Sequence, residues 1–307
     1  MANVVDRTNE TATAVPSRRV SLFAVLASDP FAVFGITLFV LLIVGTVAAN
    51  IIWPDVTIDQ SLGLRNKPPL SNIGGEFFLL GTDQLGRDMV GMLAAGARWS
   101  LIIGFSVAII AGIFGIALGV IAGYRGGRTD DFIMRLVDIQ MGFPTLVLAL
   151  AIIYTLGPGV RNMILVLAAT SWMIYARISR AIVLKVREEL YVEAARSLGA
   201  SDWRILRRYI GPNLLAPMVV LFTMEVVRAI LSEASLSFLG LGIQAPDTSW
   251  GVMLAAGRPY IQTAWWVVAF PGLAIFLSAL SLSMIASRLR QAMDPLERIK
   301  ISTGAAK

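Results

Sequence analysis

Cysteine and histidine are both absent from the 307 residues. Without cysteine there is no disulfide framework, no thiolate metal site and no thiol nucleophile. Without histidine the commonest metal ligand and the commonest general base are missing as well. Side-chain catalysis is not expected, and neither a catalytic nor a metal-binding residue is assigned. Charge is also scarce: 15% of residues are charged against 56% hydrophobic, and the mean hydropathy is +0.73. A soluble domain needs roughly 25–35% charged residues on its surface, so a soluble fold is excluded. No Gly-x-x-x-x-Gly-Lys-Ser/Thr phosphate loop occurs, so any ATP chemistry must lie on another polypeptide. Basic residues outnumber acidic ones, 26 to 20. No basic amphipathic domain carries that excess, so nucleic acid is not an expected partner.

What the sequence has in abundance is apolar length. Charge-free runs cover Phe31 to Trp53, Trp99 to Tyr124 and Ile139 to Val160. At 1.5 Å rise per residue each is long enough for a hydrocarbon core of roughly 30 Å. A shorter run, Asn162 to Ala176, is flanked by Arg161 and Arg177 and needs snorkelling at its ends. A fifth runs from about Asn213 past Glu225, Arg228 and Glu233 to Phe238, and a sixth covers Ile261 to Ser287. Six transmembrane helices are expected, in an all-α membrane protein. With both termini inside, about 19 basic residues face the cytoplasm and about 6 face the other side, as the positive-inside bias demands. Trp53, Trp99, Trp250, Trp265 and Trp266 then fall near the outer interface.

The expected organisation is a cytoplasmic tail (1–30), a first span (31–53), an outer segment (54–98), a five-helix domain (99–290) and a cytoplasmic tail (291–307). In the outer segment, Asp83 and Arg87 sit four apart and Leu85, Met89, Met92 and Leu93 share one side. This predicts an amphipathic helix from about Thr82, either a surface anchor for the second span or a contact for an external protein. Phe143-Pro144 marks a helix start or a kink. Gly104, Gly112, Gly115, Gly119 and Gly123 suit close helix packing.

The inside loop 177–213 reads as two short helices. Val192 to Leu198 stops at Gly199, Ser201 or Asp202 caps the next helix through Arg208, and Pro212 breaks it before the membrane. The result is a rigid knob with small residues at Ala194 and Ala195, or else a plain solvated connection. Within the fifth span, Glu225 and Arg228 are three apart on a face shared with Ser232, close to Glu233. A charge at membrane depth costs roughly 2.5–3.5 kcal/mol, so this stripe is either a self-paired couple or the wall of a polar route.

Glu193-Ala194-Ala195, then Gly199, with Pro212 thirteen residues on, resembles the cytoplasmic coupling loop of binding-protein-dependent ABC importer permeases. Tyr209 and Gly211 depart from it, standing where isoleucine and leucine are common. Leu80-Gly-Thr-Asp-Gln-Leu-Gly-Arg-Asp88, Ala97-Arg-Trp-Ser-Leu101, Gly123-Tyr-Arg-Gly-Gly127, Leu236-Ser-Phe-Leu-Gly-Leu-Gly242 and Asp294-Pro295 are similar to the C-type permease of dipeptide, oligopeptide and nickel importers. The resemblance implies a type I importer domain in the last five spans, located in the bacterial inner membrane. It also implies a homologous second permease, a periplasmic binding protein, and two ATPase subunits that bind ATP and Mg, leaving this chain without a cofactor. On it, Glu193, Ala194, Ala195, Gly199, Ser201 and Asp202 form the ATPase coupling surface, and Glu225, Arg228, Ser232 and Glu233 the translocation pathway. Peptides are the expected solute. Nickel chelates, glutathione and opines are alternatives, and an ATP-independent secondary transporter is the rival class.

Overall fold

The computed structural model describes residues 29–52 and 56–293. Trp53, the Asp294-Pro295 pair and most of both expected tails lie outside the described residues. Among the described residues five helices are long and apolar enough to cross a membrane, and a sharply bent pair brings the number to six. The all-α, six-span expectation agrees with this.

Helix α1 (Pro30–Ile52) begins where the Asp29 carboxylate accepts the Phe31 and Ala32 amides at 2.8 and 3.2 Å. The same carboxylate pairs with Arg288 at 2.8 Å, which joins the start of the first span to the end of the last. Between α1 and the second span lies a small lobe, expected on the outer side, with an antiparallel hairpin, β1 (Ser71–Ile73) and β2 (Glu76–Phe78).

The amphipathic helix expected from Thr82 does not form; the chain from Thr82 to Asp88 is a tight loop. Asp83 is buried and accepts the Leu85 and Arg87 amides at 2.8 and 2.9 Å, while its second oxygen accepts the Arg87 guanidinium at 2.7 Å. Gly86 adopts φ +78° and lies so close to the Ser61 carbonyl that a side chain would collide with it. Helix α2 (Met89–Arg125) therefore starts at Asp88, whose carboxylate caps the Val90 and Gly91 amides at 2.6 and 3.2 Å, and runs unbroken through the second span.

Helices α3 (Gly127–Met141) and α4 (Thr145–Leu156) form the bent pair, at 89° to each other. Pro144 stands at the α4 N-cap, so Phe143-Pro144 is a helix start at a kink. Helix α5 (Val160–Arg187) is longer than the 15-residue run predicts, because Arg177 and Arg180 continue it instead of ending it. Arg180 pairs with Asp130 and Arg177 with Asp138, and the Arg187 guanidinium donates to the Gly123 carbonyl at 2.8 Å. These arginines are spent on fixing α3 and α2 against α5.

Of the glycine stripe, Gly112, Gly115, Gly119 and Gly123 pack α2 on α5, while Gly104 meets Val226 and Ile230 of a later span. A methyl group at Gly119 would strike the Ser179 hydroxyl and the Ala176 carbonyl, and one at Gly115 the Trp172 carbonyl. Lipid tails are as apolar as leucine, so such close packing, rather than water exclusion, joins spans in a bilayer.

Helix α6 (Leu190–Ser197) and helix α7 (Asp202–Ile205) form the inside loop. Pro212 does not break the chain: α7 passes through a widened turn, Leu206–Ile210, directly into α8 (Gly211–Leu236). In that turn the Gly211 amide reaches back five residues to the Leu206 carbonyl, and Pro212, which lacks an amide hydrogen, falls where the register is already shifted. A second widened turn, Ser237–Leu241, ends the rod. The short helix α9 (Trp250–Gly257) and the last span α10 (Trp266–Met293) complete the fold. Trp250 and Trp266 are buried, not interfacial: their indoles donate to the Leu93 and Thr82 carbonyls, each at 3.0 Å. Trp265 is exposed.

Candidate coupling and translocation site

The knob expected on the inside is a compact turn of chain. Helix α6 ends in paired backbone bonds, Ala200 amide to Ala195 carbonyl at 3.0 Å and Gly199 amide to Arg196 carbonyl at 2.9 Å, with Gly199 at φ +80°. That geometry needs a residue tolerant of positive φ, which explains the Gly199 expected as a helix stop. Ser201 occupies the α7 N-cap position without a side-chain bond. Asp202 instead accepts the Tyr124 hydroxyl at 2.6 Å, tying the knob to the inner end of α2. Val192 and Ala195 face inward, while Glu193 and Ala194 are exposed. Around them Leu190, Leu198 and Trp203 are 81%, 88% and 71% exposed. Tyr191 lies 6.0 Å from Tyr209, so the departure at Tyr209 supplies a ring contact that braces α6 against the widened turn. The loop thus displays a bare apolar surface with an acidic edge on a braced support.

The predicted pathway residues separate into two groups. Glu225 and Arg228 approach at 3.8 Å, with the arginine 59% exposed and the carboxylate 2% exposed. One Glu225 oxygen and the nearby Tyr175 hydroxyl are buried without a hydrogen-bond partner. The pair is loose. Arg228 reaches outward, Ser232 is half-buried beside it, and Glu225 sits behind them against α5.

Glu233 is fully buried. One of its oxygens accepts the Ser237 and Ser249 hydroxyls, both at 2.6 Å, and the other accepts Ser100 at 3.3 Å. Ser100 in turn accepts the Trp250 amide at 3.2 Å, and Ser249 caps α9 through the Val252 amide at 3.2 Å. One carboxylate therefore joins α2, α8 and the start of α9. Ser100 and Ser249 lie 133 and 16 positions from Glu233, beyond any local pattern, whereas Ser237, four residues on, is the one partner that helical spacing could have found. Tyr124 and Tyr175 were likewise unassigned, for their partners lie on other helices.

A long kinked pair, a braced inside loop and a polar face on the helix that leaves it together describe a transport domain. Residues 115–299 match the model of the binding-protein-dependent transport system inner membrane component family. The chain belongs to that family. It is 46% identical over 229 residues to the di/tripeptide transport system permease protein DppC of Pseudomonas aeruginosa, covering 74% of this chain and 76% of that one. It is 37% identical over 271 residues to the dipeptide transport system permease protein DppC of Bacillus subtilis, covering 88% and 83%. With the glutathione transport system permease protein GsiD of Pectobacterium atrosepticum it shares 41% over 216 residues, 70% and 72% of the two chains. A chain of the MetNI methionine ABC transporter, solved in inward-facing conformations, superposes with a TM-score of 0.57 at 17% identity, covering 67% of this chain and 98% of that one. That likeness establishes the type I importer fold. The permease is a multi-pass inner membrane protein and a non-catalytic component of its transport system.

Proposed function

We propose that the chain is one of two permease subunits of an ATP-driven importer for short peptides and peptide-like solutes such as glutathione, received from a periplasmic binding protein. The relatives named for di- and tripeptide, dipeptide and glutathione transport support that solute class. The observation that carries the reading is the exposed apolar surface of Leu190, Leu198 and Trp203 around Glu193 and Ala194. Such a surface is costly on a solvated loop and suits permanent cover by a partner. In this proposal an ATPase subunit, which binds ATP and Mg, seats on Glu193 to Gly199, with Ala195, Ser201 and Asp202 supporting the seat. A second, homologous permease completes the pore. Both termini lie in the cytoplasm, and the loop 177–213 is the coupling element. Arg228 and Ser232 face the translocation route with Glu225 behind them, while Glu233 fixes the frame of its outer end.

Glu193→Lys reverses the acidic edge and Gly199→Trp destroys the positive-φ stop. In the reconstituted complex each should leave the permease in the membrane but release the ATPases or uncouple hydrolysis from peptide uptake. Normal uptake with full ATPase retention in both variants would overturn the assignment. The cysteine-free chain makes the orientation easy to read: cysteine at exposed Gln244 should react with an impermeant reagent in sealed cells and cysteine at exposed Ser201 should not.

A further inference from the structure

A groove of about 550 Å³ runs between α1 and α2, walled by Ile43, Val47 and Ile51 on one side and Leu101, Ile102 and Phe105 on the other. Arg98 lines it and is exposed, and none of the ion pairs among the described residues includes it. Its guanidinium lies 5.5 Å from the Trp99 ring centroid. The Asp247 carboxylate accepts the Trp99 indole through one oxygen at 3.0 Å. From Ile43 to Ile51 the helix rises about 12 Å, close to the roughly 15 Å of one leaflet's hydrocarbon. A cation with no ion-pair partner among the described residues therefore sits beside an apolar channel about one leaflet deep.

We propose that this groove seats an acyl chain of an anionic phospholipid, with Arg98 holding the phosphate. Two other occupants fit less well. A helix of a partner subunit packs closely on small residues, whereas apart from Thr46, whose hydroxyl donates to the Leu42 carbonyl of its own helix, these walls are isoleucine, valine, leucine and phenylalanine. A zwitterionic lipid brings an ammonium group, and no acidic side chain lines the groove to receive it. The acyl chain itself supplies no preference, because groove and bulk lipid are equally apolar. The phosphate is common to both lipid classes and makes the same charge-assisted bond to the guanidinium, so selection must act through the added ammonium charge of the zwitterion. The inference needs only that the chain spans a bilayer; it does not depend on the solute or on the ATPase seat.

The test uses the intact importer complex, equilibrated with phosphatidylglycerol and phosphatidylcholine of matched chains and read by native mass spectrometry. Wild type should retain phosphatidylglycerol over phosphatidylcholine by about threefold to fivefold, the scale of one exposed charge–charge contact. Arg98→Gln should abolish that preference and Arg98→Lys should keep part of it. Ile102→Trp, which fills the groove and leaves Arg98 in place, should abolish retention of both lipids. Equal retention of the two headgroups by wild type, or an unchanged preference in Arg98→Gln, would overturn the proposal. So would a photo-reactive side chain at Ile102 that captures the second permease instead of lipid. None of these readouts involves transport, so their failure stays distinct from failure of the peptide-import reading.

Discussion

Glu233→Ala removes the acceptor shared by three hydroxyls on three separate segments. A hydrogen bond to a charged group contributes about 1.5–3 kcal/mol, but the three serines do not lose equally. Ser237 loses its carboxylate acceptor at 2.6 Å. Ser249 still caps the Val252 amide, and Ser100, already long at 3.3 Å, still accepts the Trp250 amide. The net cost should be about 3–5 kcal/mol, which includes the small cavity left behind. For a protein of this size that lowers Tm by on the order of 10 °C. Glu233→Gln keeps one oxygen for Ser237 and Ser249 and turns an amide toward Ser100, so it should cost only about 1 kcal/mol. Thermal unfolding of the purified complex, followed by tryptophan fluorescence, reads this directly, since Trp250 is buried within the network. If the alanine variant melts within about 2 °C of wild type, the carboxylate does not hold these helices together. If glutamine costs as much as alanine, charge rather than bond geometry is the requirement.

A double-mutant cycle on Glu225→Gln and Arg228→Gln should give a coupling below about 1 kcal/mol, because the pair is 3.8 Å apart and its arginine is 59% exposed; a value above about 2 kcal/mol would show a closed pair. Tyr124→Phe should lose about 1 kcal/mol of knob bracing with its bond to Asp202, seen as weaker stimulation of the ATPases by peptide-loaded binding protein while the permease still accumulates. Burial pushes the Asp88 carboxyl above the usual carboxylate range, against the pull of the Gly91 and Val90 amides. A group whose folded pKa is raised costs stability once it ionises, so Asp88→Asn, which keeps both amide bonds, should melt at or above wild type near neutral pH. Asp88→Ala should cost about 1 kcal/mol.

The spans were legible because a bilayer imposes a length and a polarity that composition cannot hide; Phe31 to Trp53 and α1 differ by about one residue at each end. Gly199 was legible as a stop because positive φ selects glycine locally. The errors have equally physical causes. Thr82 to Asp88 carries helical spacing, but the Asp83 side chain competes for the local amides and Gly86 turns the chain under Ser61, contacts made outside any periodic window. Pro212 is a sound breaker in isolation, yet a widened turn just before it absorbs the missing donor. Trp250 and Trp266 were assigned by residue type to an interface, when their indoles had carbonyl partners on α2 and the outer lobe. At the candidate site the local elements were readable, and what joins them was not: Tyr124 to Asp202 and Ser100 to Glu233 cross 78 and 133 positions.

The run from α7 through the first widened turn and α8 extends from Asp202 to Leu236, about 50 Å of helix. Its length gives it the geometry of a lever. If it pivots near its inner end, a tilt of only about 5° sweeps the far end through about 4 Å, several times the atomic displacement at ordinary B-factors. The gearing runs one way: a small push below becomes a large stroke above, at correspondingly lower force. The widened turns Leu206–Ile210 and Ser237–Leu241, together with Pro217 inside α8, are the places where such a shaft would bend. Stiffness of the shaft, more than any contact along it, then sets how much of an inner displacement arrives outside.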